Sequence, residues 1–284
     1  MSGPIRLAAL PEAEVREVES LPDGLEGSVR VGPYSVARPG EVLRVVPGLG
    51  RFLAAGGTRL DLALDPGADF EAAEPLIQGA LTAALLHQRG ELALHAAALA
   101  PPGGGPAVAI CGDSGAGKST LAYALVGRGW TLLAEDLVRV RPHRDAPVAC
   151  PGRIGLRLCI DACLRFGLDP EKLALAPGDD TKRLIPTEGD GRPRRLGAVL
   201  ILDRGGDGGI AILPGEAAAA AVYRQTYRLA YVAPLGMASS HWRAVAAVVA
   251  GCTVAELRMN AAPEAIAAEV ECFAAGLRAG GNAI

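Results

Sequence analysis

Residues 112–120, Gly-Asp-Ser-Gly-Ala-Gly-Lys-Ser-Thr, are the stretch whose residue types and spacing most directly indicate chemistry. They satisfy the pattern Gly-x-x-x-x-Gly-Lys-Ser/Thr of a P-loop. Glycines let the backbone come close to a phosphate, and successive N–H groups with a helix N-terminus attract its charge. We therefore predict that the loop binds ATP. The predicted ATP-binding residues are Gly112, Asp113, Ser114, Gly115, Ala116, Gly117, Lys118, Ser119 and Thr120.

The segments on either side of the loop fit this role. The apolar run Ala107–Cys111 predicts a buried strand, and residues 118–127 contain no helix breaker before Gly127. A P-loop needs a strand before it and a helix after it, so this context disfavours a chance match. Within the loop, Lys118 would reach the β and γ phosphates and Ser119 would coordinate Mg²⁺.

An acidic pair, Glu135 and Asp136, follows the next apolar run, 131–134. One helix and one return strand separate the pair from Lys118, which would bring the acids back beside the loop. Phosphoryl transfer needs such an acid to position magnesium or accept a proton. Neighbouring residues on an extended strand point to opposite faces, so only one carboxylate would face the phosphates. We favour Asp136; the alternative is a solvated acidic strand end.

His95 lies in an apolar run, between Leu94 and Ala96. Pattern alone leaves two interpretations open, a hydrogen-bonded core histidine and a functional one.

These motifs together resemble the catalytic domain of HPr kinase/phosphorylase. The resemblance rests on Leu94-His95, the Gly-Asp-Ser-Gly-Ala-Gly-Lys-Ser loop, Arg128-Gly129 and Leu133-Ala134-Glu135-Asp136, and it covers roughly residues 92–140. It implies an α/β fold, a P-loop kinase domain of the HPr kinase/phosphoenolpyruvate carboxykinase type, that phosphorylates a protein serine. The family forms hexamers, so a homo-oligomer is one expectation.

The resemblance also implies roles for single residues. Asp136 would accept the serine proton and, with Ser119, hold magnesium. Glu135 matches the first acid of the family pair, and His95 matches a histidine near the catalytic aspartate. Lys118 would bind the phosphates and completes the predicted catalytic set.

One departure from the family concerns its second motif, which contains a magnesium-binding glutamate. The corresponding stretch here, 153–158, has no glutamate. One metal ligand is therefore missing or replaced, with Asp161 as a candidate, and we expect a kinase without the reverse reaction. This divergence resembles the HPr-kinase-like proteins encoded with lasso-peptide enzymes, which share the Leu-Arg-Leu and Lys-Arg segments found here at 156–158 and 182–183. Those proteins phosphorylate the C-terminal serine of a precursor peptide.

Recognition of a peptide or protein substrate would need cations for its carboxylates or phosphates. The candidates are Arg157, Lys182, Arg183 and Arg228, with Arg194 and Arg195 as further ones. The alternative is that these are solvated loop charges. Two other functions stay open: a small-molecule kinase on the same fold and a non-catalytic nucleotide-binding regulatory module.

Composition excludes several classes of partner. The net charge of the 284 residues is −3, and no basic stretch is interleaved with aromatics, which argues against nucleic acid. The longest apolar stretches, 92–100 and 244–255, are shorter than the ~20 residues that cross a bilayer. The six cysteines form no disulfide framework, and Cys159 and Cys163 are expected to be buried thiols. We expect a cytoplasmic protein that binds no membrane.

Two regions are predicted along the chain. Residues 1–90 would form a smaller mixed region with short strands and a helix at 74–89, and residues 91–284 the catalytic domain. The charged stretch 176–195 predicts an exposed loop. The remaining predictions are two strands joined by a Gly-rich turn, at 198–203 and 209–213, and closing helices at 215–231, 239–250 and 263–278.

Overall fold

A computed structural model describes residues 6–144, 146–205 and 208–280. The protein is a mixed α/β structure that divides into two compact units. The first contains Met1–Ala93 and Thr226–Ala244, and the second contains Leu94–Gln225 and Val245–Ile284. The segment 226–244, which the sequence prediction placed in the catalytic domain, therefore groups with the N-terminal region.

The first unit is built on a six-stranded sheet. Its strands are β1 (Glu14–Glu17), β2 (Val29–Gly32), β3 (Ser35–Arg38), β4 (Glu41–Val46), β5 (Gly50–Ala55) and β6 (Arg59–Leu64), in the order β1-β6-β5-β4-β3-β2. Strands β2 to β6 form an antiparallel meander, and β1 pairs in parallel with β6. Leu43 and Leu53 pack on one face, while Phe52 and Leu62 are buried elsewhere in the unit. Apolar side chains are thus buried on both faces of the sheet, because successive side chains of a strand point to opposite faces.

A nearly continuous helical run follows this sheet, where the sequence predicted one helix at 74–89. It consists of α1 (Phe70–Leu76), a π-helical turn (Ile77–Leu81) and α2 (Thr82–Gln88). The run starts earlier than predicted because the Asp69 side chain accepts a hydrogen bond from the Ala72 amide and caps the first turn. Pro75 lies inside α1 beyond its first turn, so the hydrogen bond that an N–H would make there to the carbonyl four residues earlier is absent.

The second unit contains a seven-stranded sheet. Its strands are β7 (Leu92–Ala100), β8 (Ala107–Cys111), β9 (Thr131–Arg141), β10 (Val148–Ala149), β14 (Arg194–Asp203), β15 (Gly209–Ile212) and β16 (Thr253–Arg258), in the order β10-β9-β7-β8-β14-β16-β15. Strands β8, β14 and β16 are parallel, and β7 runs antiparallel to β8. The predicted strands at 198–203 and 209–213 are present as β14 and β15, but they do not pair with each other because β16 lies between them.

Helices α3 (Lys118–Val126) and α7 (Pro263–Gly280) share one core with this sheet. Leu121 and Leu125 of α3 and Ile266 and Val270 of α7 are fully buried in it beside Ile110 of β8. Apolar side chains thus hold α3 against the sheet, and its first turn follows directly on the 112–120 loop.

A third sheet contains β11 (Leu156–Cys159), β12 (Leu175–Ala176) and β13 (Asp179–Ile185), in the order β11-β13-β12, next to the short helix α4 (Ile160–Arg165). The prediction of an exposed loop at 176–195 is therefore wrong for residues 179–185, which form β13, whereas residues 186–193 lie between β13 and β14 and are mostly exposed. Strand β13 carries charged side chains at positions that are partly or fully exposed, and Ile185 at its end is buried opposite Leu156. The charges concealed the strand because they dominate its composition.

The remaining helices are α5 (Gly215–Arg224) and α6 (Ala238–Gly251). The predicted helix 215–231 is too long: α5 ends at Arg224 with Gln225 as its C-cap, and Arg228 adopts a left-handed conformation with φ 56° that no α-helix continues through. Within the described residues, no helix combines the length and the apolar character needed to cross a membrane.

Candidate active site

The 112–120 loop connects β8 to α3 and adopts a conformation that depends on glycine. Gly115 has φ 77° and Gly117, the N-cap residue of α3, has φ 106°. Side chains rarely adopt such positive φ values, so these two positions require glycine. The first turn of α3 brings Lys118, Ser119 and Thr120 to the wall of a cavity. A helix N-terminus at this place favours a negatively charged ligand.

Lys118 bends back over its own loop. Its ammonium donates to the carbonyl oxygens of Gly112 at 2.7 Å and Asp113 at 3.0 Å. Burial lowers the pKa of Lys118, and nearby groups, including Asp136 and Glu135, partly oppose this effect. The ammonium is therefore held beside the position where a bound phosphate would lie.

The two acids of β9 both face the cavity. Glu135 and Asp136 are adjacent, so a regular strand would direct them to opposite faces. Asp136, however, has φ 72°, which breaks the alternation at this point of β9. The expectation that only one carboxylate faces the loop, which assumed an extended chain, does not apply. Both carboxylates line the same cavity.

Glu135 is the acid that reaches the loop. Its Oε1 accepts a hydrogen bond of 2.9 Å from the hydroxyl of Ser119, and only 5% of its side chain is exposed. The backbone holds it in place, because the Glu135 amide donates to the Arg153 carbonyl at 2.9 Å.

Asp136 lies between a histidine and an arginine side chain. His95 Nε2 is 3.5 Å from Oδ1, and Arg157 Nη2 is 2.8 Å from Oδ2. His95 comes from β7, the neighbour of β9 in the sheet. Burial raises the pKa of Asp136, but the hydrogen bond from His95 and the charge of Arg157 outweigh it, so the net pKa lies well below the ordinary range. Asp136 is therefore ionised at neutral pH.

Arg157 contacts both acids. In addition to its bond with Asp136, its Nε lies 3.3 Å from Glu135 Oε2, and 13% of its side chain is exposed. Burial opposes its charge, but the two carboxylates more than compensate and raise its pKa. Arg157 is thus a permanent cation of the site.

The third sheet presents Arg157 to the cavity. Arg157 and Cys159 share one face of β11, while Leu156 and Leu158 on the other face are buried. Cys159 pairs directly with Lys182 of β13, and all three polar side chains line the cavity. The expectation that Cys159 is buried is wrong, whereas Cys163 is buried as expected.

The cavity has a volume of about 240 Å³ and brings together most of the predicted site residues. Its lining consists of His95, Ala96, Ala97, Ser114, Gly115, Gly117, Lys118, Ser119, Thr120, Glu135, Asp136, Arg157, Cys159 and Lys182. Gly112, Asp113 and Ala116 belong to the loop but do not line the cavity.

Other predicted substrate cations have different surroundings. Arg183 lies beside Lys182 on β13, and its Nε donates to the Pro170 carbonyl at 2.8 Å. Arg194 pairs with Asp190, and Arg228 of the first unit lies 5.6 Å from the ring centroid of Tyr227. Their role in substrate binding stays a prediction.

Asp161, the alternative metal ligand, is exposed on α4 and does not line the cavity. The structure therefore does not bring it to the acids of β9.

Two residues that support the loop were not predicted. Gln225 accepts from the Gly112 amide through Oε1 at 3.0 Å, and its carbonyl accepts from the His95 amide at 2.9 Å. Arg204 donates to the Gly115 carbonyl. Arg204 follows the carboxyl end of β14, and in a parallel sheet that end lies beside the carboxyl end of β8, so its position could have been inferred. The contact of Gln225 has no local sequence signal.

The donor set of the cavity fits ATP and Mg²⁺. Among the described residues, no three His, Cys, Asp or Glu side chains are grouped to hold a metal ion by themselves. Magnesium in phosphate sites uses one or two protein oxygens together with phosphate oxygens and water, so a complete protein cage is not required. Ser119 Oγ and Glu135 Oε1, 2.9 Å apart, form such an oxygen pair beside the loop. The sequence predicts Ser119 and Asp136 as the magnesium ligands, whereas the acid hydrogen-bonded to Ser119 is Glu135.

Comparison with known proteins finds similarity among solved structures. No protein-family model and no curated protein matches the chain. Among solved structures, the HPr(Ser) kinase/phosphatase from Coxiella burnetii is similar over 65% of this chain and 97% of that chain, with 15% sequence identity and a TM-score of 0.35. At this TM-score the similarity carries no argument about the site.

Proposed function

We propose that the protein is an ATP-dependent kinase that transfers the γ-phosphoryl group to a serine hydroxyl of a peptide or protein. The observation that carries this proposal is that one cavity is lined both by residues of the 112–120 loop and by an ionised Asp136 held by His95 and Arg157. A loop alone would support nucleotide binding. An acid aimed at the same cavity adds the group that a hydroxyl acceptor needs.

Each residue has a distinct part in the proposed reaction. The loop amides, the α3 N-terminus and Lys118 bind the triphosphate. Ser119 and Glu135 would hold Mg²⁺, which neutralises charge on the phosphate oxygens when bound. Asp136 accepts a hydrogen bond and then the proton from the acceptor hydroxyl.

His95 and Arg157 position the carboxylate of Asp136. Because each contacts a different oxygen, they fix the rotation of the carboxylate and keep it ionised. Transfer of a phosphoryl group depends mainly on such positioning and on neutralisation of charge.

The acceptor is proposed to be a peptide rather than a metabolite. Lys182 and Arg157 both line the cavity, and because Arg157 already pairs with the two acids of β9, Lys182 is the cation that could bind a carboxylate close to the hydroxyl. A C-terminal serine carries both groups on one residue. The sequence resemblance to the kinases of lasso-peptide clusters points to the same acceptor, the C-terminal serine of a precursor peptide.

Mass spectrometry tests this function directly. Purified protein with Mg²⁺ and ATP is incubated with two peptides that end in serine, one with a free carboxyl group and one with a C-terminal amide. We expect one added phosphoryl group on the first peptide and little on the second. Transfer to a small metabolite but to neither peptide would support the small-molecule kinase instead.

Binding without any transfer would support the regulatory module. A fluorescent ATP analogue measures binding independently of the acceptor, and Lys118→Ala should weaken that binding. Unchanged affinity in this variant would contradict the role of the loop.

A further inference from the structure

The four carboxylate oxygens of Glu135 and Asp136 face three kinds of side chain: a hydroxyl, a guanidinium and an imidazole. Ser119 faces Glu135 Oε1 at 2.9 Å, Arg157 faces Glu135 Oε2 at 3.3 Å and Asp136 Oδ2 at 2.8 Å, and His95 faces Asp136 Oδ1 at 3.5 Å. Each of the four carboxylate oxygens therefore has a neighbour in the protein. Only one of them, Glu135 Oε1, faces a neutral hydroxyl that can itself bind a metal ion.

Two adjacent carboxylates in a mostly buried site repel each other. A cation between them offsets this repulsion. Sites that transfer phosphoryl groups frequently meet this need with a second divalent ion, as in the two-metal sites of phosphatases and polymerases. Here the cation is a side chain. The guanidinium of Arg157 contacts one oxygen of each acid, and 13% of its side chain is exposed.

We infer that Arg157 serves as the built-in second cation of this site, so that the site takes one divalent ion with the nucleotide, at Ser119 and Glu135, and not two. This inference rests on the proposed binding of ATP and Mg²⁺. A second ion would have to displace the guanidinium from Glu135 Oε2 and Asp136 Oδ2, the oxygens it already neutralises.

Strand β11 holds the Arg157 side chain in position beside the acids. Burial of Leu156 and Leu158 fixes the face of β11 that turns toward the acids, and pairing with β13 fixes its register. A planar guanidinium with several donors can bridge two carboxylates in a way that the single ammonium of lysine matches less well.

The test counts bound ions. Mn²⁺ replaces Mg²⁺, and electron paramagnetic resonance measures the Mn²⁺ bound per chain at saturation with a non-hydrolysable ATP analogue. We expect one ion in the wild type and two in Arg157→Gln, whose acids have lost their cation. Lys182→Gln is the matched control, because it also removes a positive charge from the cavity. The Lys182 ammonium pairs with Asp179 at 3.1 Å and not with the β9 acids. It should keep one ion.

Other outcomes decide against the inference. Two ions in the wild type would overturn it, and so would one ion in an Arg157→Gln variant that still binds the analogue. If Arg157→Gln does not fold, the wild-type count decides alone. Two ions together with observed phosphoryl transfer would overturn this inference and leave the proposed function standing. A wild type that binds no analogue would overturn both.

Discussion

Asp136 combines a left-handed backbone with a carboxylate shared by His95 and Arg157. The backbone turns the carboxylate into the cavity, where a regular strand would direct it away. A non-glycine residue in this conformation is strained and persists where the surroundings over-determine it. The strain thus accompanies the placement of the acid that we assign to proton transfer.

Replacing the carboxylate by an amide tests that assignment. Asp136→Asn keeps the size of the side chain but cannot accept the proton, so phosphoryl transfer should fall by about 10²–10⁴-fold, the usual contribution of a general base. Affinity for an ATP analogue should change little, because Lys118 and the loop remain. Initial rates and analogue binding are measured side by side.

Asp161→Asn is the informative comparison for that variant. Asp161 is exposed on α4 and outside the cavity, so its rate should equal that of the wild type. A loss of rate in Asp161→Asn would revive this residue as the replacement metal ligand.

The strain at Asp136 has a separate consequence for stability. Asp136→Gly and Asp136→Ala both remove the contacts with His95 and Arg157, so they differ mainly in the backbone at φ 72°. The left-handed conformation costs a residue with a Cβ about 1–2 kcal/mol, and glycine avoids this cost. The glycine variant should therefore unfold at a higher urea concentration than the alanine variant. We expect its free energy of unfolding to be larger by about 1 kcal/mol. Equal stability of the two variants would argue against strain at this position.

At the scale of elements, the acids depend on the segment that runs beside β9. The Gly152 amide donates to the Leu133 carbonyl, and the Glu135 amide donates to the Arg153 carbonyl, both at 2.9 Å. A Cβ at Gly152 would lie 2.9 Å from the Cβ of Ala134, the residue just before the acidic pair. Neither atom is at the end of a flexible side chain, so the two backbones would have to separate.

Gly152→Ala should consequently destabilise the protein by about 1–3 kcal/mol, as overpacking does, and lower the transfer rate. Gly276→Ala on α7 is the control, because nothing lies within 4 Å of a Cβ there and alanine favours a helix. It should be neutral or stabilising by up to about 1 kcal/mol. Urea unfolding and initial rates measure both variants; a Gly152→Ala variant as active and stable as the wild type would disprove the close approach.

Local motifs explain which parts of the site could be predicted. The loop, its strand and its helix form one contiguous unit of sequence, and an apolar run marks the strand that leads to Glu135. The positive φ of Asp136 could not be predicted, since nothing in Ala-Glu-Asp-Leu distinguishes it from an extended strand. Strand β13 was not predicted because most of its residues are charged or polar and only partly buried, which is typical of a loop. Its pairing with β11 leaves no signal in this part of the sequence.

The role of Arg157 depends on contacts distant in sequence, and so does that of Gln225. Arg157 meets acids that lie more than 20 residues before it, and Gln225 binds Gly112 across a sequence separation of 113 residues. Such contacts are set by the packing of the whole unit, which periodicity and spacing do not encode. The same limitation explains why β16 between β14 and β15 was not predicted.

At the scale of the whole molecule, the sequence is poor in aromatic residues, at 4%, and rich in small apolar ones. The core accordingly consists mostly of Ala, Leu and Val, and few polar side chains are buried in it. Two of these are histidines of the first unit, His87 and His241, whose rings meet edge to face at 6.0 Å. They make the stability of the folded chain sensitive to acid.

His87 is held in its neutral form. Its Nε2 donates to the Tyr227 carbonyl at 2.8 Å, and its Nδ1 is buried with no hydrogen-bond partner among the described residues. Burial lowers the pKa of His87 from 6.5 to about 4, against which the Tyr227 carbonyl acts only partly. Burial also lowers the pKa of His241.

The sign of the pH dependence follows from these directions. The unfolded chain takes up a proton near pH 6.5, whereas folded His87 stays neutral until about pH 4, so stability falls as the pH drops through this interval. His87 alone should lower the free energy of unfolding by about 3 kcal/mol between pH 6.5 and 4. His87→Gln keeps a donor for Tyr227 but does not titrate, so its profile should be flatter by that amount. His143→Gln, at an exposed position, should follow the wild-type profile. Urea unfolding at a series of pH values measures all three, and parallel profiles for the wild type and His87→Gln would show that His87 is not held neutral by burial.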